Sequence, residues 1–146
     1  LNKDYLKYWR VIRYFIKAKY NLTTAELEML LFLKSEGRFS RDDFDEFNEI
    51  MSWDKQRFEK LRQEGWFEVF RVGNKPGQRR ALYQLSYKAQ RVLTSVYKKL
   101  EGQEIPTSPT TNPLFKKEVS YADKVYRNAI KKMNESIKQQ RYLSPE

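Results

Sequence analysis

Residues 38–100 constrain this chain most. They read as two short helices joined by a turn, then a cation-rich hairpin, then a helix that resumes at Leu85-Ser86. The central run opens at Ser52 and continues Trp-Asp-Lys-Gln-Arg-Phe-Glu-Lys-Leu-Arg-Gln-Glu to Gly65. A side-chain oxygen before the first turn and a glycine after the last one bracket a helix. A strand is predicted over residues 66–72, a turn at Gly73-Asn-Lys-Pro-Gly77, and a returning strand over residues 81–85.

The flanking segments carry helical periodicity. Tyr5, Tyr8, Trp9, Ile12, Phe15 and Ile16 recur three and four apart, predicting a helix over residues 5–20 with Lys7, Arg10, Arg13 and Lys17 on its other face. Thr23 or Thr24 caps a second helix, with Glu26 and Glu28 near its positive end. Leu27, Leu30, Leu31 and Leu33 continue that helix and Gly37 stops it. Ser40-Arg-Asp-Asp43 has capping-box spacing, with Asp in place of the usual Glu. Phe44, Phe47, Ile50 and Met51 form the stripe of that third helix, and Phe58 and Leu61 face inward on the next. Ser86 caps a helix that runs through Val92, Leu93 and Val96 to Leu100, ended by Gly102. Residues 103–112 are predicted as an extended linker poor in core residues, and Tyr121, Val125, Ala129, Ile130, Met133 and Ile137 mark a last helix.

This order is the plan of a winged helix-turn-helix, mainly α with a small β-hairpin (α+β), with helices added at both ends. The expected division is an N-terminal helix over 1–21, a winged helix domain over 22–102, a linker over 103–114 and a C-terminal helix over 115–146. The two terminal helices have long aromatic and aliphatic faces of the kind a subunit interface requires, carried by Tyr8, Trp9, Ile12, Phe15, Tyr121, Val125, Ala129 and Met133.

Charge narrows the function. The formal net charge is +10, which favours nucleic acid or an anionic surface as partner. It is segregated: residues 21–51 carry three cations against eight acids, whereas residues 52–80 carry eight against four. On the central helix, Lys55, Gln56, Arg57, Lys60 and Arg62 follow Ser52 and Trp53. Arg and Gln match guanine and adenine edges in the major groove, so the first turn is expected at the bases, with Lys60 and Arg62 on phosphates. Arg71, Lys75, Arg79 and Arg80 cluster on the hairpin, with no acid between Val69 and Gln84, and suit phosphate or minor-groove contact.

These residues resemble the multiple-antibiotic-resistance regulator (MarR-like) winged helix family. Leu61-Arg-Gln-Glu-Gly65-Trp66 is similar to the family's recognition-helix end, and Arg80-Ala-Leu-Tyr-Gln-Leu85-Ser86 to its wing arginine and the step into the next helix. Leu22-Thr23, leading into an apolar helix that ends at Gly37, is similar to its second helix. The resemblance implies a homodimer held by the terminal helices, reading a two-fold symmetric site. Gln78 and Arg79 precede Arg80 where the family has an Asp two residues before its arginine, and the helix before recognition is strongly acidic, from Arg41 to Glu49.

The chain has no cysteine and no histidine, which excludes disulfides, thiolate chemistry and histidine-based catalysis. No phosphate loop or nucleophile elbow is present, so no enzyme, cofactor or metal is expected. Asp42 and Asp43 serve a helix start more simply than a metal. No apolar run reaches the roughly 20 residues of a membrane span, and no signal peptide is read. The expected partner is double-stranded DNA, with a possible small-molecule effector between the terminal helices and the winged domain, in a cytoplasmic, nucleoid-associated setting. Two other readings compete: a winged helix protein-interaction module in a replication, phage or chromatin assembly, and a non-specific nucleic-acid binder stacking bases on Trp53, Trp66 and Tyr83.

Overall fold

The computed structural model describes residues 5–51, 57–73 and 80–143. The chain is mainly helical with one two-stranded antiparallel sheet, an α+β arrangement. It divides into two compact units. A helical unit contains Leu1–Leu22 and Ser95–Glu146; a mixed unit contains Thr23–Thr94.

The mixed unit begins with α2 (Thr24–Glu36), counted after α1 (Trp9–Tyr20) of the other unit. Thr23 Oγ1 accepts from the Glu26 N–H, and Glu26 Oε1 accepts from the Thr23 N–H, so the helix start is satisfied from both sides. Gly37 ends it at φ +84°, in the region that favours glycine. The predicted Ser40–Asp43 capping box forms at α3 (Arg41–Ile50): Ser40 Oγ accepts from the Asp43 N–H, and Asp43 Oδ2 accepts from the Ser40 N–H. Then come α4 (Phe58–Gln63), β1 (Phe67–Arg71) and β2 (Leu82–Leu85).

β1 and β2 pair with Phe67 opposite Leu85 and Val69 opposite Tyr83, and the register shifts between Val69 and Arg71. On the other edge of β2, Phe39 makes an isolated antiparallel bridge with Tyr83, exchanging backbone hydrogen bonds of 3.0 and 2.8 Å. The unit's core follows from that bridge. Phe39, Phe44, Phe58, Phe67 and Tyr83 form a ring cluster with centroids 5.0–6.2 Å apart, mostly in edge or tilted geometry. The four phenylalanines are buried, together with Leu30, Leu61 and Trp66. Truncating one such ring, Phe44→Ala for example, costs about 3–5 kcal/mol in a packed core.

α5 (Tyr87–Leu100) starts where Ser86 joins two ends: its Oγ donates to the Gly65 carbonyl oxygen at 2.6 Å and accepts from the Ala89 N–H. Its last turns, from Ser95, fall in the helical unit, so the division lies inside this helix rather than at Gly102.

In the helical unit, α1 (Trp9–Tyr20) begins four residues later than the periodicity predicts, because residues 5–8 form a turn. Asn21, left-handed at φ 55°, closes it. A 3₁₀ turn (Pro113–Phe115) and α6 (Tyr121–Leu143) complete the unit. Ile12, Phe15, Ile16, Val96, Leu114, Ile130, Met133 and Ile137 are buried there. Tyr14 stacks on Tyr126 with centroids 3.8 Å apart, and its hydroxyl donates to Asp123 Oδ1 at 2.7 Å.

Residues 103–112 are not a free linker. Ile105 is buried, and Asn134 of α6 holds its backbone from both sides: Nδ2 donates to the Ile105 carbonyl oxygen at 2.9 Å and Oδ1 accepts from the Ile105 N–H at 3.0 Å. Asn112, also buried, donates to the Pro106 carbonyl oxygen and caps the 3₁₀ turn. A single apolar residue and two asparagines dock a segment whose composition reads as solvent-exposed.

Candidate nucleic-acid interface

The residues expected at the bases, Ser52, Trp53, Lys55 and Gln56, lie outside the described residues, as do Lys75 and Arg79 of the hairpin. Placement of the remaining cations follows from α2. Glu26 is fully buried. Lys60 Nζ donates to its Oε2 at 2.6 Å, and Arg57 Nη1 lies 3.3 Å from the same oxygen while donating to Thr23 Oγ1 at 3.0 Å. Burial alone raises the Glu26 pKa. The hydrogen bonds from Lys60 and the Thr23 N–H, with the charges of Lys60 and Arg57, outweigh it and hold the carboxyl below its ordinary range.

The expected DNA-contact residues Arg57 and Lys60 thus both fasten the start of α4 to the start of α2. Arg62 is exposed and, among the described residues, pairs with Glu59 at 3.4 Å. Trp66 is buried, with the Lys88 ammonium 4.2 Å from its ring centroid, so it offers no face to a base. Tyr83 belongs to the aromatic cluster.

At the hairpin, Arg71 Nη2 donates to the Arg80 carbonyl oxygen at 2.9 Å, holding the two strands together at the end next to their connection. Arg80 is exposed, and its Nη1 lies 3.1 Å from Asp42 Oδ2 of α3. Arg80, which has no acid beside it in sequence, takes its acidic partner from another element. The acidic helix is thereby largely explained: Asp42 meets Arg80, Asp43 closes the cap, and Asp45 meets Arg41 at 3.2 Å. Phe70, exposed on β1, is covered by the Arg38 guanidinium 3.6 Å from its centroid.

The expected dimer residues separate into two sets. Ile12, Phe15 and Met133 are buried in the chain's own helical unit and present nothing to a second copy. Tyr8 is half-buried and donates to Ser136 Oγ at 3.0 Å, and Trp9 and Ala129 are also half-buried. Tyr121 and Val125 are exposed.

The charge is distributed unevenly between the units. The helical unit holds sixteen Lys and Arg against seven Asp and Glu, and the mixed unit thirteen against twelve. Nine of the ten net positive charges therefore belong to the unit that lacks the hairpin. Among the described residues, no group of three or more Asp, Glu, His or Cys is placed to hold a metal ion, and no helix is long and apolar enough to cross a membrane. No family model, no curated protein and no solved structure matches this chain.

Proposed function

We propose that the mixed unit, Thr23–Thr94, is a winged helix that binds duplex DNA in gene regulation. The carrying observation is the Phe39–Tyr83 bridge. It places β2 between Phe39 and β1, with α3 and α4 inserted between Phe39 and β1 in the chain. That strand order and insertion are those of the winged helix plan, in which the helix after the turn enters the major groove and the hairpin lies beside it.

In this reading residues 52–56 meet base edges. Arg62 and Arg80 meet phosphates, and Arg57 and Lys60 set the angle at which α4 leaves the body of the unit. A homodimer completes the reading, with Tyr121 and Val125 available to the second copy. The test is selection from random duplexes, followed by titration of wild type, Arg62→Ala and Arg80→Ala across salt concentrations, with solution mass measured alongside. Enrichment of a motif, and a shallower salt slope in each variant, support the proposal. Absence of binding at low salt refutes it.

The near-even charge of the mixed unit favours a second reading, a winged helix that docks protein. α3 presents Glu46, Glu49, Ile50 and Met51 to solvent, an acidic and apolar edge suited to such contact. That reading stands if the selection enriches nothing.

A further inference from the structure

Residues 103–107 lie along α6 and enclose with it a cleft of about 650 Å³, wholly within the helical unit. This volume falls in the range of small-molecule sites, roughly 300–1,000 Å³. Its charged lining is Lys99, Lys131, Lys138, Arg141, Glu104 and Glu135. Four cations face two carboxylates, so the cleft carries a surplus of two positive charges.

Lys99 is the unusual member. Its side chain is buried, at 7% exposure, yet among the described residues no carboxylate pairs with it. Among the described residues the ammonium donates one hydrogen bond, to Gln103 Oε1 at 3.3 Å, and lies 5.8 Å from the Phe15 ring centroid; Gln103 lines the same cleft. Burial, then the like charges of Lys19 and Lys98, push its pKa below the ordinary lysine value. Glu26, the other deeply buried ion among the described residues, has two cations and a backbone N–H around it. Glu104 is already engaged by Lys138 at 3.8 Å and Arg141 at 3.0 Å. A buried ammonium without a counter-ion is costly, and an anion in the cleft relieves that cost.

We propose that this cleft binds a small phosphate monoester whose phosphate lies against Lys99 and Lys131. A phosphate monoester carries about −1.5 to −2 charges near neutral pH, which matches the surplus. Asn134 in the lining holds Ile105, donating from Nδ2 and accepting at Oδ1. The site is independent of the DNA-binding proposal, because every lining residue lies in the other unit.

The test is a titration of the full chain with inorganic phosphate and with a nucleoside monophosphate, followed by amide chemical shifts, at ionic strength matched with potassium chloride. Saturable shifts confined to residues 99–107 and 131–141 are expected, with affinity at least tenfold weaker in Lys99→Met and in Lys131→Met. Lys124→Met, outside the cleft, should leave affinity unchanged. Tighter binding of the nucleotide assigns the site to an organic phosphate; equal binding assigns it to the free ion. Shifts spread over all surface lysines, or full affinity in both cleft variants, overturn the proposal. No DNA enters the experiment, so its failure is distinct from failure of the winged helix reading.

Discussion

The Lys60 ammonium lies 2.6 Å from the Glu26 carboxylate, which is fully buried at the start of α2. The contact spans thirty-four positions in the chain and fixes α4 against α2. Glu26→Ala removes that partner, the Arg57 contact and half of the capping box. It should cost about 2–3 kcal/mol in urea denaturation. A loss under about 0.5 kcal/mol would show that Arg57 and Lys60 do not depend on this carboxylate.

The same residue sets an acid dependence. The folded pKa of Glu26 is lowered below its ordinary 4.5, so its contribution is complete above that value. The contribution is lost as pH falls through the lower folded value. Glu26→Gln should therefore flatten the stability profile below about pH 4.5 relative to wild type. Parallel profiles for the two proteins would contradict the assignment.

Tyr14 acts at the other end of the pH scale. The hydrogen bond to Asp123, then burial and the charge of Asp123, raise its pKa from 10.0 to about 12. A raised acid stabilises the fold fully below the unfolded value and loses its effect as pH climbs through the folded one. Stability should decline between pH 10 and 12, and Tyr14→Phe should decline less steeply. Spectrophotometric titration of tyrosinate absorbance, beside thermal melts, measures both quantities.

Asp42 and Arg80 are both exposed, so their pair should add under about 1 kcal/mol to stability. In the DNA-binding reading the pair competes with phosphate for the guanidinium. Asp42→Ala should then leave the melting temperature nearly unchanged and strengthen duplex binding by up to about fivefold. Weaker binding in that variant would mean the pair positions Arg80 rather than restraining it.

Asn134→Ala leaves the Ile105 N–H and carbonyl oxygen without their partners in a buried place. A cost of about 2–4 kcal/mol is expected, with faster hydrogen exchange at Ile105. Unchanged exchange would show that Ile105 is held by packing alone.

Local devices were legible from the residues. The Ser40–Asp43 box, the stops at Gly37 and Gly65, and the Ser86 cap depend on neighbours within a few positions, and all formed as read. The strands too followed from alternation, within a residue at each end. Contacts between distant segments were not legible. Glu26 looked like an ordinary first-turn acid, and nothing in its surroundings in sequence marks Arg57 or Lys60 as its partners. Arg57 looked like a base contact and Lys60 like a phosphate contact because their type and spacing fit those roles equally well. Ile105 lay in a proline- and threonine-rich stretch, where one apolar residue carries no periodicity, and the asparagine that docks it comes twenty-nine positions later. For the candidate site, the hairpin cations were visible as a cluster, but the acid that meets Arg80 belongs to another element.

The lopsided allotment of charge has a kinetic consequence. A polyanion draws on the helical unit, which holds nine of the ten net positive charges, far more strongly than on the mixed unit. Capture from a distance is then the work of lysines on the helical unit, whichever surface does the reading afterwards. Neutralising them should slow arrival while leaving the lifetime of the finished complex nearly intact.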